Sequence, residues 1–517
     1  MKRLYLITIL TLTALAVHAQ QPRVNIDTYK YADEVQLWRL TGNAAALSLD
    51  PEQCDSSANR GVSHLTLSHQ SGDFHRVQEG GMQNHLAFFT ERYQKIGRYL
   101  YGYGSFHFDM GRVKDRAWSD VMRTYNSNPF ISGSSVPGKY DNQDFELNAS
   151  LSTVALGRFT YGASLLYKVG DLSRLRDPRS RINLAEYRLT PAVTFTTGQH
   201  TLGVAAHYDR RKEKLPNMTT VQSDPNMSYY VMTGLENATG TIGGYNGYMR
   251  EYVDHEFGVE LNYGLRAGSL HSVNALTFDA GTEYVYGTYK YEPGRYYNRI
   301  FGLSTLNRLH AGNRLHSLDV SVKYEQGYAD EYKEERILET DKETGYNSVT
   351  WNKILEYSKR YQLKKLDLDV HYRMSFVDGQ ATRGYVGAGY TLQDVSNKHK
   401  LYDSHLNYSS SRMQIEGGVV LFGSRLWLEA KAGYCFSGKT DLSLYDATTD
   451  YAVSVLKPDM AYYEANYFSG RLQVTYQMPI TIKGYTSNWF ASLYGDYAKT
   501  DNSLNRQQAG LTIGLYY

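Results

Sequence analysis

Four histidines crowd one short stretch of the sequence and are the first candidates for chemistry. His64, His69, His75 and His85 fall within 22 residues, and imidazole nitrogen is a frequent ligand of Zn²⁺. Imidazoles spread over such a length are more typical of a polar rim than of a metal centre. The sequence therefore predicts no metal site.

The two cysteines are a second candidate. Cys54 precedes the region of regular alternation described below, and Cys435 takes a polar-face position within it. A disulfide between them would require the N-terminal segment to lie beside the strand of Cys435, and the pattern leaves that pairing open. Two cysteines exclude a disulfide scaffold or a multi-cysteine metal domain.

Motifs for catalysis and cofactor binding are absent from the sequence. It contains no Gly-rich phosphate loop, His-Glu-x-x-His or Cys-x-x-Cys, so we predict no catalytic residues, no cofactor and no enzymatic activity. The 55 Lys and Arg against 53 Asp and Glu give a net charge of +2, which argues against nucleic acid as a partner. An apolar content of 42% excludes general disorder, and a mean hydropathy of −0.51 excludes a helical membrane protein.

Alternation of apolar and polar residues dominates the rest of the chain. From Leu366 to Phe376, every even-numbered residue is apolar and every odd-numbered one is polar. Period two over eleven residues predicts a strand with one apolar and one wet face, and this length suits a tilted strand that crosses a bilayer. We predict about eighteen such strands, over residues 62–70, 83–93, 97–112, 142–156, 158–170, 182–197, 200–212, 252–266, 270–290, 297–310, 314–330, 359–376, 381–396, 405–421, 424–438, 464–478, 487–499 and 505–517.

Short and long connections take turns between these strands. In an up-and-down barrel, alternate connections lie on the same rim, so the pattern predicts one rim of tight turns and one of long loops, as in outer-membrane barrels. Most prolines fall in the long connections, where no ladder hydrogen bond is needed. Pro191 lies inside a predicted strand, and we expect a bulge there. The segment from Glu331 to Glu343 is predicted to be a solvated outer loop.

The predicted fold is all-β: a closed antiparallel up-and-down transmembrane β-barrel of about eighteen strands, with sixteen or fourteen as alternatives. Soluble sandwiches and propellers use shorter strands. We divide the chain into a signal peptide (1–19), an N-terminal periplasmic or lumen-inserted segment (20–60) and the barrel (61–517). Lys2 and Arg3, an apolar run and Val17-His18-Ala19 predict cleavage before Gln20. The expected location is the outer membrane of a Gram-negative bacterium.

The polar faces supply the candidates for the lumen wall. Acids and bases are nearly balanced there, which favours either ion pairs that stabilise the wall or a lumen for neutral or mixed solutes over a strongly ion-selective pore. The candidates are Glu146, Lys168, Glu186, Arg188, Glu256, Glu260, Arg266, Asp319, Lys323, Glu325, Asp367, Asp369, Arg373, Arg412, Glu416, Glu429, Lys431 and Arg471.

The last strand carries a pattern of its own. Ala509, Leu511, Ile513, Leu515 and Tyr517 share one face, and a terminal amphipathic strand ending in an aromatic residue resembles the strand by which outer-membrane barrels are recognised for insertion. The expected partners are accordingly outer-membrane lipid, lipopolysaccharide and the barrel-insertion machinery.

The stretch before the barrel lacks period two. Asp33 to Leu40 is predicted to form a short helix, followed by Gly42-Asn43-Ala44-Ala45-Ala46-Leu47-Ser48. Trp38-x-x-Thr-Gly-Asn-Ala-Ala-x-Leu-Ser resembles a family of uncharacterised Bacteroidota outer-membrane barrels. Gly42 to Leu47 is more distantly similar to a stretch of the long-chain fatty-acid transporters, with Ala44 where those carry Pro. The resemblance implies a small plug in the lumen that includes Trp38, Arg39, Gly42 and Asn43; the alternative is a periplasmic tail.

Two functions follow as hypotheses. The first is a porin-like channel or transporter for a small solute, because a barrel of about 16–18 strands leaves room for an aqueous lumen. The second is an accessory barrel that binds a TonB-dependent receptor, a surface lipoprotein or a secretion complex, and its basis is the mass of the long loops.

Overall fold

Strands make up most of the structure. The computed structural model describes residues 24–53, 59–123, 128–221, 227–340, 342–482 and 485–517. Helices within these ranges are α1 (Ile26–Val35) and α2 (Lys457–Tyr463), 3₁₀ turns at Trp38–Leu40, Ala44–Gln53 and Thr288–Lys290, and a π-helical turn at Ala452–Leu456. None of the helices in the described ranges is long and apolar enough to cross a membrane.

The strands number 22 in these ranges. They are β1 (Asn59–Gly72), β2 (Met82–Ile96), β3 (Leu100–Arg116), β4 (Ser132–Ser134), β5 (Gly138–Thr153), β6 (Phe159–Arg174), β7 (Arg181–Thr197), β8 (His200–Leu215), β9 (Ser228–Gly234), β10 (Asn237–Ile242), β11 (Arg250–Ala267), β12 (Leu270–Tyr286), β13 (Gly294–Ala311), β14 (Arg314–Thr340), β15 (Asn347–Asp378), β16 (Ala381–His399), β17 (Ser404–Leu421), β18 (Leu426–Ser437), β19 (Asp441–Ser443), β20 (Tyr467–Ile482), β21 (Tyr485–Thr500) and β22 (Asn505–Tyr516).

Eighteen of these strands form a closed ring in which every neighbour is antiparallel. The ring omits β4, β9 and β10, which form a separate small sheet, and β19, which pairs briefly with β17. Closure comes from β1, which pairs with β2 on one side and with β22 on the other, in register from Val62 opposite Tyr516 to Gly72 opposite Arg506. The ring therefore has no free edge, and the backbone N–H and C=O groups of each strand find their partners on the two neighbouring strands.

The outer surface of the ring is apolar. Large hydrophobic side chains stand exposed there along many strands, among them Leu276, Ile415 and Leu472, which are 54%, 67% and 68% exposed. Exposure of so continuous an apolar belt to water would be unfavourable, whereas its contact with lipid acyl chains is favourable. The inward-facing positions between these residues are polar, as period two requires.

The two ends of the barrel differ in their connections. At the tight-turn end, Gly198 and Gly268 take φ of +58° in two-residue turns between long strands, a conformation that disfavours residues with a Cβ. At the long-loop end, the connections include residues 117–137, 216–249 and 438–466. The alternation of short and long connections predicted from the sequence is confirmed.

The strand prediction is also confirmed. Each of the predicted segments overlaps one barrel strand, and the count is eighteen, so the alternatives of sixteen and fourteen are wrong. The fatty-acid transporters have fourteen strands, and the similarity of Gly42 to Leu47 to that family therefore does not extend to the barrel.

Three local predictions are wrong. At Pro191 there is no bulge: the register of β7 against β8 is the same at Leu189 and at Ala192, and only the ladder pairs between them are missing, because proline donates no hydrogen bond. The segment from Glu331 to Glu343 begins as β-structure, since β14 and β15 continue past the rim as a two-stranded ribbon. The N-terminal helix starts at Ile26, with Asn25 as its cap, and ends at Val35.

Two predictions fall outside the described residues. The signal peptide and its cleavage site before Gln20 lie in residues 1–23, and Cys54 lies in residues 54–58. Cys435 is buried in the wall, and its pairing with Cys54 stays an open prediction.

The lipid-facing belt makes a testable prediction. Leu276→Arg places a charge on the apolar side of β12, and we expect it to lower the free energy of unfolding in lipid vesicles by about 2–4 kcal/mol. Thr277→Arg, the matched control, puts the same side chain on the inward face and should cost much less. Denaturant titration, with heat-modifiable migration on gels as the check for folded barrel, measures both; equal losses would contradict a membrane-facing belt.

Candidate functional site

The N-terminal segment (residues 24–53) lies inside the tight-turn end of the barrel. Its helix α1 begins against β20, where Ile26 N donates to Gln477 Oε1 at 3.0 Å. The next residue, the fully buried Asp27, accepts from Trp427 Nε1 at 2.7 Å and from Arg383 Nη1 at 3.1 Å. A buried carboxylate held by an indole N–H and a guanidinium is satisfied at both oxygens, which fixes the start of the helix to β16 and β18.

The middle of α1 reaches other parts of the wall. Lys30 Nζ lies 2.7 Å from Glu429 Oε1 of β18. Farther along, the Glu34 carboxylate accepts from Ser317 Oγ and from Ser375 Oγ, on β14 and β15, at 2.5 and 2.8 Å. The helix therefore spans the opening instead of following one strand.

The second half of the N-terminal segment packs against small wall residues. Trp38 is almost fully buried over Gly264 of β11, where a Cβ would overlap the indole ring. Gly42 N donates to both oxygens of Glu260 at 3.1 Å, and Asn43 Nδ2 donates to Asn262 Oδ1 at 2.9 Å. These contacts bring Trp38, Gly42 and Asn43, three residues predicted for the plug, onto a single strand.

The Ala44-Ala45-Ala46 run continues the same close packing. Ala45 O accepts from Ser152 Oγ and from Thr160 Oγ1, both at 2.7 Å. On the facing strand, a Cβ at Gly162 would overlap the backbone of Ala44 and Ala45. Small residues on both sides let the backbone of the segment approach the wall, which a bulkier pair would prevent.

Asp50 holds the segment together. Its carboxylate accepts from Trp38 N at 3.1 Å and from Arg39 N at 2.8 Å, and it is fully buried. Burial raises the pKa of Asp50 to about 7, although the two backbone donors and the Arg39 guanidinium act in the opposite direction. Arg39, the fourth plug candidate, also forms an ion pair with Asp33.

The long-loop end is filled by the loops themselves. The small sheet of β4, β9 and β10 folds inward, and side chains of these loops pack on the inner wall in apolar clusters. Phe130 shares one cluster with Tyr252, Tyr296 and Tyr361 of three wall strands, and the Tyr252 hydroxyl donates to Phe130 O at 2.7 Å. Segments of the same chain, the N-terminal segment and the inward-folded loops, thus fill the two ends of the lumen.

A charged chamber of about 780 Å³ lies between the inward-folded loops and the wall. Seven acids and six bases line it, and those of the wall come from β7, β8, β11, β12, β14 and β15. The charged residues that line it are Arg76, Arg123, Glu186, Arg188, Asp209, Arg211, Asp254, Glu256, Glu283, Lys323, Glu325, Lys365 and Asp459.

Glu283 joins the loop to the wall of the chamber. Its carboxylate accepts from Arg211 Nη2 of β8 at 2.8 Å and from Arg123 Nη2 of the β3–β5 loop at 2.9 Å. Asn128 Nδ2 of the same loop donates to the other oxygen at 2.6 Å. Glu283 is buried, so its contacts with Arg123 and Asn128 are charge-assisted hydrogen bonds that fix the loop to the wall.

Most of the predicted lumen residues form ion pairs or hydrogen bonds inside the wall. The contacts are Lys168–Glu146 at 3.8 Å, Arg188–Asp209 at 2.9 Å, Arg188–Glu256 at 3.6 Å, Asp319 with Arg308, Lys365–Asp367 at 2.9 Å, Arg373–Glu416 at 2.7 Å, Arg412–Ser469 at 2.8 Å and Arg471–Asp496 at 3.4 Å.

The remaining candidates are distributed over three places. Glu260, Arg266 and Glu429 bind the N-terminal segment, Arg266 through Leu49 O at 3.0 Å. Glu186, Lys323 and Glu325 line the charged chamber. Lys431 lines a second cavity of about 370 Å³ together with Arg412 and Arg471, and Asp369 is exposed on β15.

Several residues of the chamber were missed from the sequence. Asp209, Arg211, Asp254 and Glu283 lie near the long-loop ends of the strands predicted at 200–212, 252–266 and 270–290, but they are not among the predicted lumen residues. The alternation of polar and apolar residues beyond residue 208 was the signal that could have found them.

The four histidines of the first hairpin do not form one cluster. His69 forms a hydrogen bond with Asn84 and His75 one with Arg76 O, at 2.7 and 2.9 Å.

Fold and site together define a membrane-spanning β-barrel whose lumen is occupied from both ends by its own chain. Within that class, the chain belongs to the family of unknown function DUF6850, whose model matches residues 46–517. No curated protein matches the sequence.

Solved structures with a similar arrangement share little sequence with the chain. The FrpB iron transporter from Neisseria meningitidis matches at 10% identity with a TM-score of 0.40, covering 92% of this chain and 83% of the transporter. The outer membrane transporter YddB from Escherichia coli matches at 8% identity with a TM-score of 0.37, covering 89% and 81%.

Asp50 predicts a pH dependence for the N-terminal segment. Its pKa is about 7 in the docked state and near 3.8 when exposed, so docking takes up a proton between these values. Docking should therefore be strongest below about pH 4, weaken through pH 7 by at most about tenfold per pH unit, and then level off. Amide hydrogen exchange of residues 26–50 measures how strongly the segment is docked at each pH, after correction for the pH dependence of the intrinsic exchange rate.

Asp50→Asn is the control because it cannot titrate. We expect its protection to be the same at pH 5 and pH 8. Protection of the unmodified protein that rises with pH, or an equal pH dependence in Asp50→Asn, would contradict the assignment.

Proposed function

We propose that the protein is an outer-membrane transporter for a small polar solute, gated by its N-terminal segment. The observation that carries this proposal is the charged chamber enclosed by the inward-folded loops and the wall. A chamber of about 780 Å³ has the size of small-molecule binding sites, and a wall built only for stability would not need to leave it unfilled.

The lining of the chamber indicates the class of solute. Acids and bases face it in similar numbers, whereas a pore for ions of one sign would present mainly the opposite charge. Paired side chains such as Arg188 and Asp209 can exchange one partner for a group on a solute at little electrostatic cost. A zwitterionic or hydroxyl-rich solute fits this lining best.

The N-terminal segment has the properties of a movable closure. Besides its apolar contacts, hydrogen bonds and ion pairs such as those of Asp27, Gly42 and Asn43 hold the segment to the wall. Water in the lumen can replace these polar partners when the segment leaves, so their exchange costs little net free energy. Solute would pass from the loops through the chamber and then past the displaced segment.

The proposal includes location, partners and chemistry. We place the barrel in the outer membrane of a Gram-negative bacterium, exported by the signal peptide at residues 1–19, inserted through β22 and surrounded by lipid and lipopolysaccharide. The resemblance of Trp38 to Ser48 supports a Bacteroidota-type barrel family. No catalytic step is part of the proposal, and the purified protein should hydrolyse neither lipid nor peptide substrates.

Planar-bilayer conductance tests the transporter. The intact barrel should show small or intermittent currents, and a variant lacking residues 24–53 should show larger and steadier ones, because the tight-turn end is then open. Glu283→Ala in that background should raise the current again by releasing the β3–β5 loop. Glu146→Ala, which breaks an ion pair away from both closures, is the control. Variants that all remain non-conducting, and vesicles that take up no labelled sugar or amino acid, would contradict the proposal.

A second candidate function rests on the ribbon formed by β14 and β15. Beyond Glu331, the last residue of β14 that pairs with β13, its arms pair from Tyr332 opposite Glu356 to Thr340 opposite Asn347. Apolar residues along it are exposed, among them Leu338 and Ile354 at 57% and 46%, which is typical of a binding surface. This supports an accessory barrel that binds a TonB-dependent receptor, surface lipoprotein or secretion complex.

Affinity purification from solubilised outer membranes tests the second candidate. A partner should co-purify with the intact protein and be lost when residues 335–352 are replaced by a short Gly-containing turn. Shortening the β21–β22 connection serves as the control and should retain the partner. Recovery of the intact barrel alone would count against this function.

A further inference from the structure

Three adjacent strands bring a histidine and two carboxylates together on the lumen wall. In the ladder, His207 of β8 lies opposite Gly258 of β11, and Gly258 lies opposite Asp279 of β12. Because Gly258 has no side chain, the two flanking side chains meet over it, with His207 Nε2 at 3.0 Å from Asp279 Oδ1. A Cβ at Gly258 would overlap both atoms, so the glycine makes the meeting possible.

The contact between His207 and Asp279 is not an ordinary hydrogen bond. Both Nε2 and Oδ1 are buried and have no hydrogen-bond partner despite their separation. His85 and Asp109 are separated by the same 3.0 Å and do form a hydrogen bond. Two ligands of an ion bound at about 2.1 Å stand roughly 3.4 Å apart in tetrahedral coordination and roughly 3.0 Å apart at the right angles of octahedral coordination. The His207–Asp279 pair therefore has the separation of two ligands that share one ion.

Glu256 supplies the third ligand. It lies two residues before Gly258 on the same face of β11, and one of its oxygens is within 4.8 Å of the ligand atoms of both other residues. Its other contacts are long, 3.6 Å to Arg188 Nη2 and 3.5 Å to Asn298 Nδ2. Glu256 also lines the charged chamber, so the site borders the space through which an ion could arrive.

The charges around the site favour a cation. Glu256 and Asp279 contribute two negative charges, and Asp209 lies two residues after His207 on the same face of β8 and binds Arg188 at 2.9 Å. Three carboxylates against one guanidinium leave a local excess of negative charge, which an ion of charge +2 offsets.

We propose that His207, Glu256 and Asp279 form a binding site for one divalent transition-metal ion, with Zn²⁺ as the reference ion. One imidazole and two carboxylates suit first-row transition ions, whereas Ca²⁺ and Mg²⁺ prefer oxygen ligands alone. The inference does not depend on the transporter proposal, because binding is measured without transport. Among the described residues, this is the group of His and carboxylate ligands with the required geometry.

Metal titration of the purified full-length barrel in detergent tests the site. After removal of bound metal with a chelator, Zn²⁺ is added in a calorimeter and Co²⁺ is followed by its visible absorption. One equivalent should bind, and His207→Ala and Asp279→Asn should each weaken binding by more than the roughly 10- to 100-fold that loss of an outer-shell partner costs.

Gly258→Ala is the decisive variant because it keeps all three ligands and fills the space between them. It should weaken binding as strongly as His207→Ala, whereas the control His85→Ala should bind Zn²⁺ as tightly as the unmodified protein. Heat-modifiable migration shows that each variant is a folded barrel. Less than one equivalent of Zn²⁺, or unchanged affinity in folded His207→Ala or Gly258→Ala, would overturn the proposal.

Discussion

The backbone hydrogen bonds of the ring are the constraint on which the whole structure depends. Lipid offers no donors or acceptors, so every peptide group at membrane depth must find its partner within the wall. The chain meets this by pairing β1 with β22 in continuous register, which leaves no edge. Once the ring is closed, successive side chains along each strand point alternately into the lipid and into the lumen.

Closure at eighteen strands creates a second problem, which is the width of the interior. Small barrels are filled by wall side chains, but wide ones are not. This chain fills both ends with other parts of itself: the N-terminal segment at the tight-turn end, and β4, β9, β10 and their loops at the long-loop end. The charged chamber is the space left between the loops at the long-loop end and the wall.

The wall could be predicted from the sequence because its constraint acts on every second residue. Leu366 to Phe376 shows the pattern without any knowledge of neighbours, and strand order follows from the alternation of connection lengths. Pro191 shows where such reasoning stops, because a missing N–H can be accommodated by an interrupted ladder as well as by a bulge.

The fillings were harder to predict because no periodicity governs them. Phe130 and Tyr252 meet across 122 residues of sequence, and nothing local marks either as half of a pair. The same limit applied to the metal site. His207, Gly258 and Asp279 are neighbours only through the register of the ladder. The informative residue is Gly258, which has no side chain and offers no ligand, so the sequence alone does not mark it. Inward-facing tyrosines such as Tyr296 and Tyr516 likewise pack on the fillings.

The contacts of the N-terminal segment have a consequence for the order of assembly. Val24 O accepts from Asn488, Ile26 N donates to Gln477, and Ala45 O accepts from Ser152, so its partners are drawn from strands made early and late in synthesis. These strands come together around the segment only when the sheet has closed into a barrel. The part of the chain that is synthesised before the barrel must therefore wait, undocked, and take its place last.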